Sequence, residues 1–502
     1  MNYDWIVPHV AELKPGEKPN AVFPIVLLPV LIVGGVIITL LTWQTGKSIM
    51  QPVFFARALG VPLLIWGQLS GLQYGPYEKS IHDTNFWNWL CRTRLANWRR
   101  WTQKHLAVID TKVITPVEDL PERMLGLEGD PPSNAGQALR LEPQTQHAEA
   151  QQGVASAIDD SAMEASAETS VVVHAGIDEA ELLERLITPF GGYLTRSTKD
   201  DEVYLTVHAQ SVNVPLLRGI LARIGVKRIE HIKIVHAAPE DMTSSPLHWL
   251  KTRRGSYGQE FGLTLPDLCL MIAYQLHGKA ADCTEIAAAT LCASPNAIQR
   301  YKLKPKARIF RMIEVSAEEI PRALDSLVAA AQTAPERIKH LWLSNLPKQA
   351  RHMLTGSLKD AGLELQVHDL DKALGKPGTA TPHVIQALAS QMVGYGQGAH
   401  LVAMPCEKGI SLNVVDAKPS AVPYIADVSI PIFPVFSTLG TLCGFTLISW
   451  LWFELDAPAA MWWITSIFFV GLLSLFPLGA LWFIPDDLRQ KFNSHLPSGD
   501  EE

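Results

Sequence analysis

The chain has 502 residues, 43 Lys and Arg against 50 Asp and Glu, a formal net charge of −7, and 47 % hydrophobic residues. The acidic balance argues against a nucleic-acid-binding protein. Its six cysteines (Cys91, Cys269, Cys283, Cys292, Cys406 and Cys443) include no C-x-x-C pair, which argues against a zinc ribbon or a redox pair and fits a reducing compartment.

Residues 1–20 form a mixed N-terminal tail. Ala21–Trp43 then carries no charge and is long enough to cross a hydrocarbon core of about 30 Å at about 1.5 Å per residue. It is too long for a signal peptide and no small-x-small site follows it. Val53–Leu72 is a second candidate span, with Arg57 near one end where it could snorkel; the alternative is a helix lying in the interface. Residues 73–143 read as a basic juxtamembrane helix followed by a short strand at Ala107–Ile114. Here Arg92, Arg94, Arg99, Arg100 and Lys104 interleave with Trp98 and Trp101, a pattern suited to anionic lipid headgroups. Gln144–Ser170, rich in Ala, Gln, Ser and Glu, lacks the apolar groups to offset ordering entropy and reads as a flexible linker.

From Val171 strands and helices alternate. Val171–His174, Glu202–Ala209 and Ile229–Ala237 read as strands, separated by helices at Asp178–Phe190 and Val214–Ile224; Pro266–Ala293 reads as a looser helical region. The alternation resumes with strands at Ala307–Val315, Ile338–Ser344 and Leu363–Leu370, and helices at Ala317–Gln332 and Pro347–Gly362. A small-residue helix at Thr381–Tyr395 leads to two apolar strands around Glu407-Lys408-Gly409. Residues 171–300 and 301–418 are thus expected to be two βαβαβ-type halves of one α/β domain with parallel pairing. Two more uncharged runs follow, Ile432–Phe453 and Met461–Ile484, joined by an acidic turn at Glu454–Asp456 and flanked by Trp450, Trp452, Trp462 and Trp463. Residues 430–485 are expected to form a second transmembrane hairpin to match 21–72, with 486–502 as a tail. The basic cluster places the termini and the central domain on the cytoplasmic side.

The stretch Leu374–Val415, LGKPGTATPHVIQALASQMVGYGQGAHLVAMPCEKGISLNVV, resembles the C-terminal half of the thiolase and β-ketoacyl synthase superfamily. That half runs βαβαβ, then a buried small-residue helix opened by a Gly-His-type segment, then a closing strand pair. The resemblance implies a cysteine nucleophile at a helix N-terminus and two histidines. Here Ser344–Pro347 stands at the first histidine motif and offers Asn345; Gly375–Gly378 stands at the second and offers Lys376 and Pro377. Cys283 is the one candidate nucleophile, and Asp282 and Glu285 should raise its pKa. Its plain alternative is a small apolar residue on a helix. The histidine positions therefore argue for a degenerate fold without condensing activity. Val113–Asn134 is similar to sequences of bacterial inner-membrane proteins that accompany type VI secretion effectors, as immunity or loading proteins.

No P-loop, G-x-S-x-G or H-E-x-x-H occurs, and Gly394–His400 lies between a helix and a strand in the order opposite to a dinucleotide site. His231 and His236 share a strand and His208 is on the adjacent one, with no ligand cluster visible, so no cofactor or metal is expected. Three function classes remain. They are a non-catalytic multi-pass accessory protein that contacts membrane lipids and binds an effector or secretion component, a membrane-bound acyl-transferring enzyme, and a transporter subunit. The last is weakened by Arg57 being the one charge within the spans.

Overall fold

The computed structural model describes residues 4–142, 177–198, 201–237, 253–254, 260–261, 266–276, 282–425, 435–455 and 458–495; side chains of 253–254, 260–261 and 469–486 are outside that description. The linker at 144–170 and the strand at 171–174 lie outside the described residues. The chain forms two units, an α/β unit (Met1–Val7 and Trp98–Val422) and a helical unit (Pro8–Asn97 and Pro423–Glu502).

The α/β unit is built on one 11-stranded mixed sheet. Its first half contains β1 (His105–Ile114), β2 (Val203–His208) and β3 (Ile232–Ala237). Two two-residue strands, β4 (Arg253–Arg254) and β5 (Glu260–Phe261), pair apart from it, and β6 (Leu268–Gln275) and β7 (Ile286–Ala293) complete the half. The second half contains β8 (Ala307–Phe310), β9 (Ile313–Val315), β10 (Ile338–Leu343), β11 (Gln366–Asp369), β12 (Ala399–Cys406) and β13 (Gly409–Asp416). The two halves repeat one topology. In the first, β2 is parallel to β3 and β6, β6 is antiparallel to β7, and β7 to β1. In the second, β10 is parallel to β11 and β12, β12 is antiparallel to β13, and β13 to β8 and β9. The halves join where β1 meets β8 antiparallel, from His105 opposite Phe310 to Val108 opposite Ala307.

The helices of this unit are α1 (Leu120–Met124), α2 (Glu179–Ile187), α3 (Val214–Arg223), α4 (Pro295–Tyr301), α5 (Ile320–Ala330), α6 (Lys348–Asp360), α7 (Leu370–Leu374) and α8 (Thr381–Gly394). Helices α2 and α3 cover one face of the first half through Leu182, Leu186, Leu217 and Ile220. Helices α5 and α6 cover one face of the second through Leu324, Leu327, Leu354 and Leu358. The other faces of both halves enclose α8, which touches β1 and β7 as well as β8, β10, β12 and β13. Eleven of its fourteen residues are buried. That requires a helix with no polar face and with small residues for close approach, as Ala387, Ala389 and Ser390 provide. Gln386 and Asn413 exchange amide hydrogen bonds of 2.7 and 3.2 Å inside this core. The second half thus runs in the order the thiolase-like resemblance implies: βαβαβ, buried helix, closing strand pair.

Two expectations are corrected. Pro266–Ala293 is not helical: it holds β6 and β7, central strands buried on both faces. A strand covered on both faces reads as a continuous apolar run, and the alanines of Ile286–Ala293 give it a helical composition that tertiary pairing overrides. The first half also begins before 171, since β1 lies at its seam.

In the helical unit, Val22–Thr42 is followed by a turn at Pro52–Phe55, a π-helical turn at Ala56–Gly60 and a helix at Val61–Thr102. The second candidate span and the basic segment are therefore one continuous helix. Its last residues, from Trp98, belong to the α/β unit. Three helices, Val22–Thr42, Pro52–Thr102 and Val435–Glu454, are long and apolar enough to cross a membrane. Ala459–Ser494 is also helical, but the heart of the expected span Met461–Ile484 lies outside the described side chains.

Val61–Asn97 and Val435–Glu454 pack antiparallel. Gly67, Gly71 and Gly75 face Cys443, Gly440 and Ser437; a Cβ on Gly71 would sit 2.5 Å from the Gly440 Cα. This is small-residue packing at four-residue spacing, the usual way for helices to associate in lipid. Both ends of the pair are clamped. The Glu78 carboxylate accepts from the Val435 and Phe436 N–H groups at 2.7 and 3.2 Å, capping that helix. Arg57 forks onto Glu454, with Nε at 2.8 Å from Oε1. Arg57, expected to snorkel, instead has a partner that the sequence places nearly 400 residues away.

Gly71→Leu should lower the thermal midpoint of the detergent-solubilised chain by an amount equivalent to about 1–3 kcal/mol. Gly34→Leu, whose Cβ meets nothing within 4 Å, should leave it unchanged.

Candidate functional site

A pocket of about 320 Å³ opens where three loops of the second half converge. Ser344 and Asn345 follow β10, Gly378–Ile385 form the approach to α8 and its first turn, and Met404–Glu407 end β12. The carboxyl ends of parallel strands, beside a helix start, are where open α/β sheets place ligands. Asn345 has a left-handed backbone, φ +51°. Asp371 on α7 fixes it there: Ser344 Oγ donates to Oδ1 at 2.5 Å and the Asn345 N–H to Oδ2 at 2.7 Å. Burial raises the Asp371 pKa, and these two hydrogen bonds oppose that rise.

The loop entering α8 is held from the first half. Asn134–Leu141 straps across it: the Asn134 N–H donates to Lys372 O at 2.8 Å and the Lys376 N–H to Gln137 O at 2.8 Å. Gly375, at φ +87°, packs so close to Gln137 O that any Cβ would collide with it. Gln275, at the end of β6, accepts from the Ala380 N–H at 2.9 Å and donates to Thr284 O. Both halves therefore set the position of the pocket's third wall.

The sequence candidates fall as follows. Asn345 lines the pocket; Lys376 and Pro377 lie in its entry loop but not on its wall. Cys283 is not on a helix. It sits in the loop before β7, half-buried and off the pocket, next to Thr284, whose N–H donates to Lys376 O at 2.9 Å. Burial first, then Asp282 and Glu285, push its thiol pKa up, the wrong direction for a nucleophile. Cys406, given no role by the sequence, is the thiol that lines the pocket; its place at a strand end facing a helix start gave no local motif to read. Among the described residues, no imidazole, amine or guanidinium lines the pocket.

The lipid-contact candidates divide. Trp98 and Trp101 are corrected: both are buried in protein, Trp98 donating to Asp4 O at 2.8 Å and Trp101 lying under Arg311, 4.2 Å from the ring centroid. Helical spacing alone could not tell an interfacial indole from one that meets a distant N-terminal segment. Arg92 forks onto Glu12 with two 2.8 Å bonds, and Arg99 Nε donates to Ala329 O at 3.1 Å. Arg94, Arg100 and Lys104 also have interactions within the protein.

The expected strand histidines do not form a ligand set; His236 Nε2 meets Ala209 O at 2.9 Å. Three others do cluster: His340, His368 and His400 on neighbouring strands, with His340 Nδ1 3.0 Å from His368 Nε2. Trp342 Nε1 donates to His400 Nδ1 at 2.7 Å. Indole is a donor only, so His400 Nδ1 must be the unprotonated nitrogen of a neutral ring. Burial, followed by the neighbouring imidazoles, lowers the pKa of His368 to about 4 and of His400 to about 3. Among the described residues, no group of three or more His, Cys, Asp or Glu could hold a metal ion.

No protein-family model and no curated protein matches the chain. Solved structures similar to it are thiolase- and ketosynthase-fold proteins. An oxazolomycin ketosynthase domain from Streptomyces albus is 11 % identical, with 64 % of this chain and 99 % of that chain covered and a TM-score of 0.38. The module 1 ketosynthase of the bacillaene synthase from Bacillus amyloliquefaciens is 11 % identical over 66 % of this chain and 75 % of that one, TM-score 0.39. Human mitochondrial 3-ketoacyl-CoA thiolase is 10 % identical over 62 % and 98 %, TM-score 0.34. At such identities and overlaps nothing of their chemistry carries over.

The neutral histidines set an acid limit. Their folded pKa values lie below the ordinary 6.5, so the unfolded chain binds more protons between pH 6.5 and about 3. Stability of the α/β unit should be intact above pH 6.5 and fall on acidification, with a limiting slope of about 1.4 kcal/mol per pH unit for each group. His400→Gln should shallow that slope in a thermal-shift series; an unchanged slope would remove His400 from the account.

Proposed function

We propose that this chain is a membrane-anchored, non-catalytic accessory protein whose thiolase-like unit recognises a protein partner. One observation carries the reading: the pocket at the first of the two expected histidine positions is lined by Asn345 and, among the described residues, by no basic group able to take a proton from a thiol. Cys283 is both displaced from it and shifted toward the neutral thiol. The fold is kept, the acid–base set is not, and binding is the use that needs only the fold. The three long apolar helices support a multi-pass anchor. The basic cluster supports the bacterial inner membrane with the α/β unit on the cytoplasmic side. The similarity of Val113–Asn134 to proteins beside type VI secretion effectors supports immunity to such an effector, or its loading, as the role.

A second reading has one observation in its favour. Cys406 lines the pocket as a half-buried thiol outside any disulfide, which suits a membrane-bound acyl-transferring enzyme.

The full chain, tagged and solubilised in detergent from its own host, should bring down one effector or secretion component in stoichiometric amount. For an immunity role, cells lacking the protein should die only beside siblings that carry the toxin gene. Elution of the chain alone, with equal survival in both settings, contradicts the proposal.

A further inference from the structure

The pocket's chemistry is specific enough to say what kind of group enters it. Its floor is apolar, formed by Pro382, Ile385, Met404 and Pro405; its rim is polar, with Asn345 and Glu407. A helix start beside a pocket suggests an anion, but here the donors are spent. The Thr381, His383 and Val384 N–H groups donate to Gly378 O and Ala380 O at 3.2, 3.1 and 3.1 Å. Residue 382 is proline and has no N–H. The Gly378 N–H donates to Thr381 Oγ1 at 2.9 Å. These N–H groups are not open to an anion, and among the described residues no cationic side chain lines the wall.

The remaining charge is negative. Glu407 lines the rim, exposed, with no ion pair to any described residue. Asp371 stands behind the wall and accepts the hydrogen bond of the Ser344 hydroxyl, leaving the Ser344 oxygen lone pairs as acceptors. The nearby guanidinium of Arg351 is committed to Asp369 at 2.6 Å and lies 3.9 Å from Asp371.

We infer that the pocket receives an arginine side chain from the protein partner, its aliphatic stem on the half-buried Pro382 and Pro405 and its head at Glu407. Long basic side chains are amphipathic in this way, and an arginine seated in a pocket is a common anchor of protein interfaces. This rests on the partner-binding reading, but its test needs no partner.

Cys406 supplies the readout and Cys283, off the pocket, the internal reference. The detergent-solubilised full chain is alkylated with N-ethylmaleimide in the presence of N-acetyl-arginine methylamide or its neutral isostere, N-acetyl-citrulline methylamide. Modification of each cysteine is followed by peptide mass spectrometry. At about 10 mM the arginine compound should slow alkylation of Cys406 about threefold or more, as expected for a millimolar site, and leave Cys283 unchanged. The citrulline compound should protect neither, and Glu407→Gln should abolish protection without shifting the thermal midpoint. Equal protection by citrulline, protection that survives Glu407→Gln, or no protection by arginine overturns the inference. None of these results bears on whether the chain has a partner, which the co-purification decides separately.

Discussion

One helix buried on every side governs this protein's α/β unit. Helix α8 has the two halves of the sheet wrapped round it, so it can carry neither a charged face nor bulky residues throughout. The sheet reaches both sides of it because β1 and β8 pair antiparallel at the seam. With the helix so enclosed, its first turn cannot move independently of β10 and β12. That turn, the Asp371-anchored corner at Ser344–Asn345 and the end of β12 form the pocket. The reciprocal Gln386–Asn413 amide pair adds a directional contact between α8 and β13 to an otherwise apolar packing.

The helical unit solves a different problem. In lipid there is no hydrophobic drive to bring helices together, so shape and polar contacts must do it. Gly67, Gly71 and Gly75 remove side-chain bulk along one line, and Glu78 and Arg57 hold the two ends. The consequence is that helices from opposite ends of the chain are partners. Most of the α/β unit, Trp98–Val422, lies between them in the sequence.

Much of this was legible in the sequence. Uncharged runs gave the apolar helices, and the βαβαβ order and small-residue helix of the second half were plain from periodicity. What failed did so for physical reasons. Strands β6 and β7, covered on both faces, lose the alternation that marks a strand, and alanine at Ala287–Ala289 mimics a helix. Trp98 and Trp101 have interfacial composition, but both are buried and meet Asp4 and Trp5 near the start of the chain. The spacing in Gly67–Gly75 was present in the letters, although its partner lay in a distant helix. At the site, Asn345 and Lys376 could be read as substitutes for histidine. That Cys406 rather than Cys283 lines the pocket could not, because it depends on where β12 ends relative to α8.

The proposed reading is that a thiolase-like unit keeps a built pocket without condensing chemistry. The most direct measurement is intact-mass spectrometry of the detergent-purified full chain after incubation with short- and medium-chain acyl-CoA thioesters, with free CoA followed in parallel. The account predicts an unmodified chain and CoA release no faster than in buffer. One acyl group per chain, mapped to Cys406 or Cys283 and discharged with turnover, would contradict it.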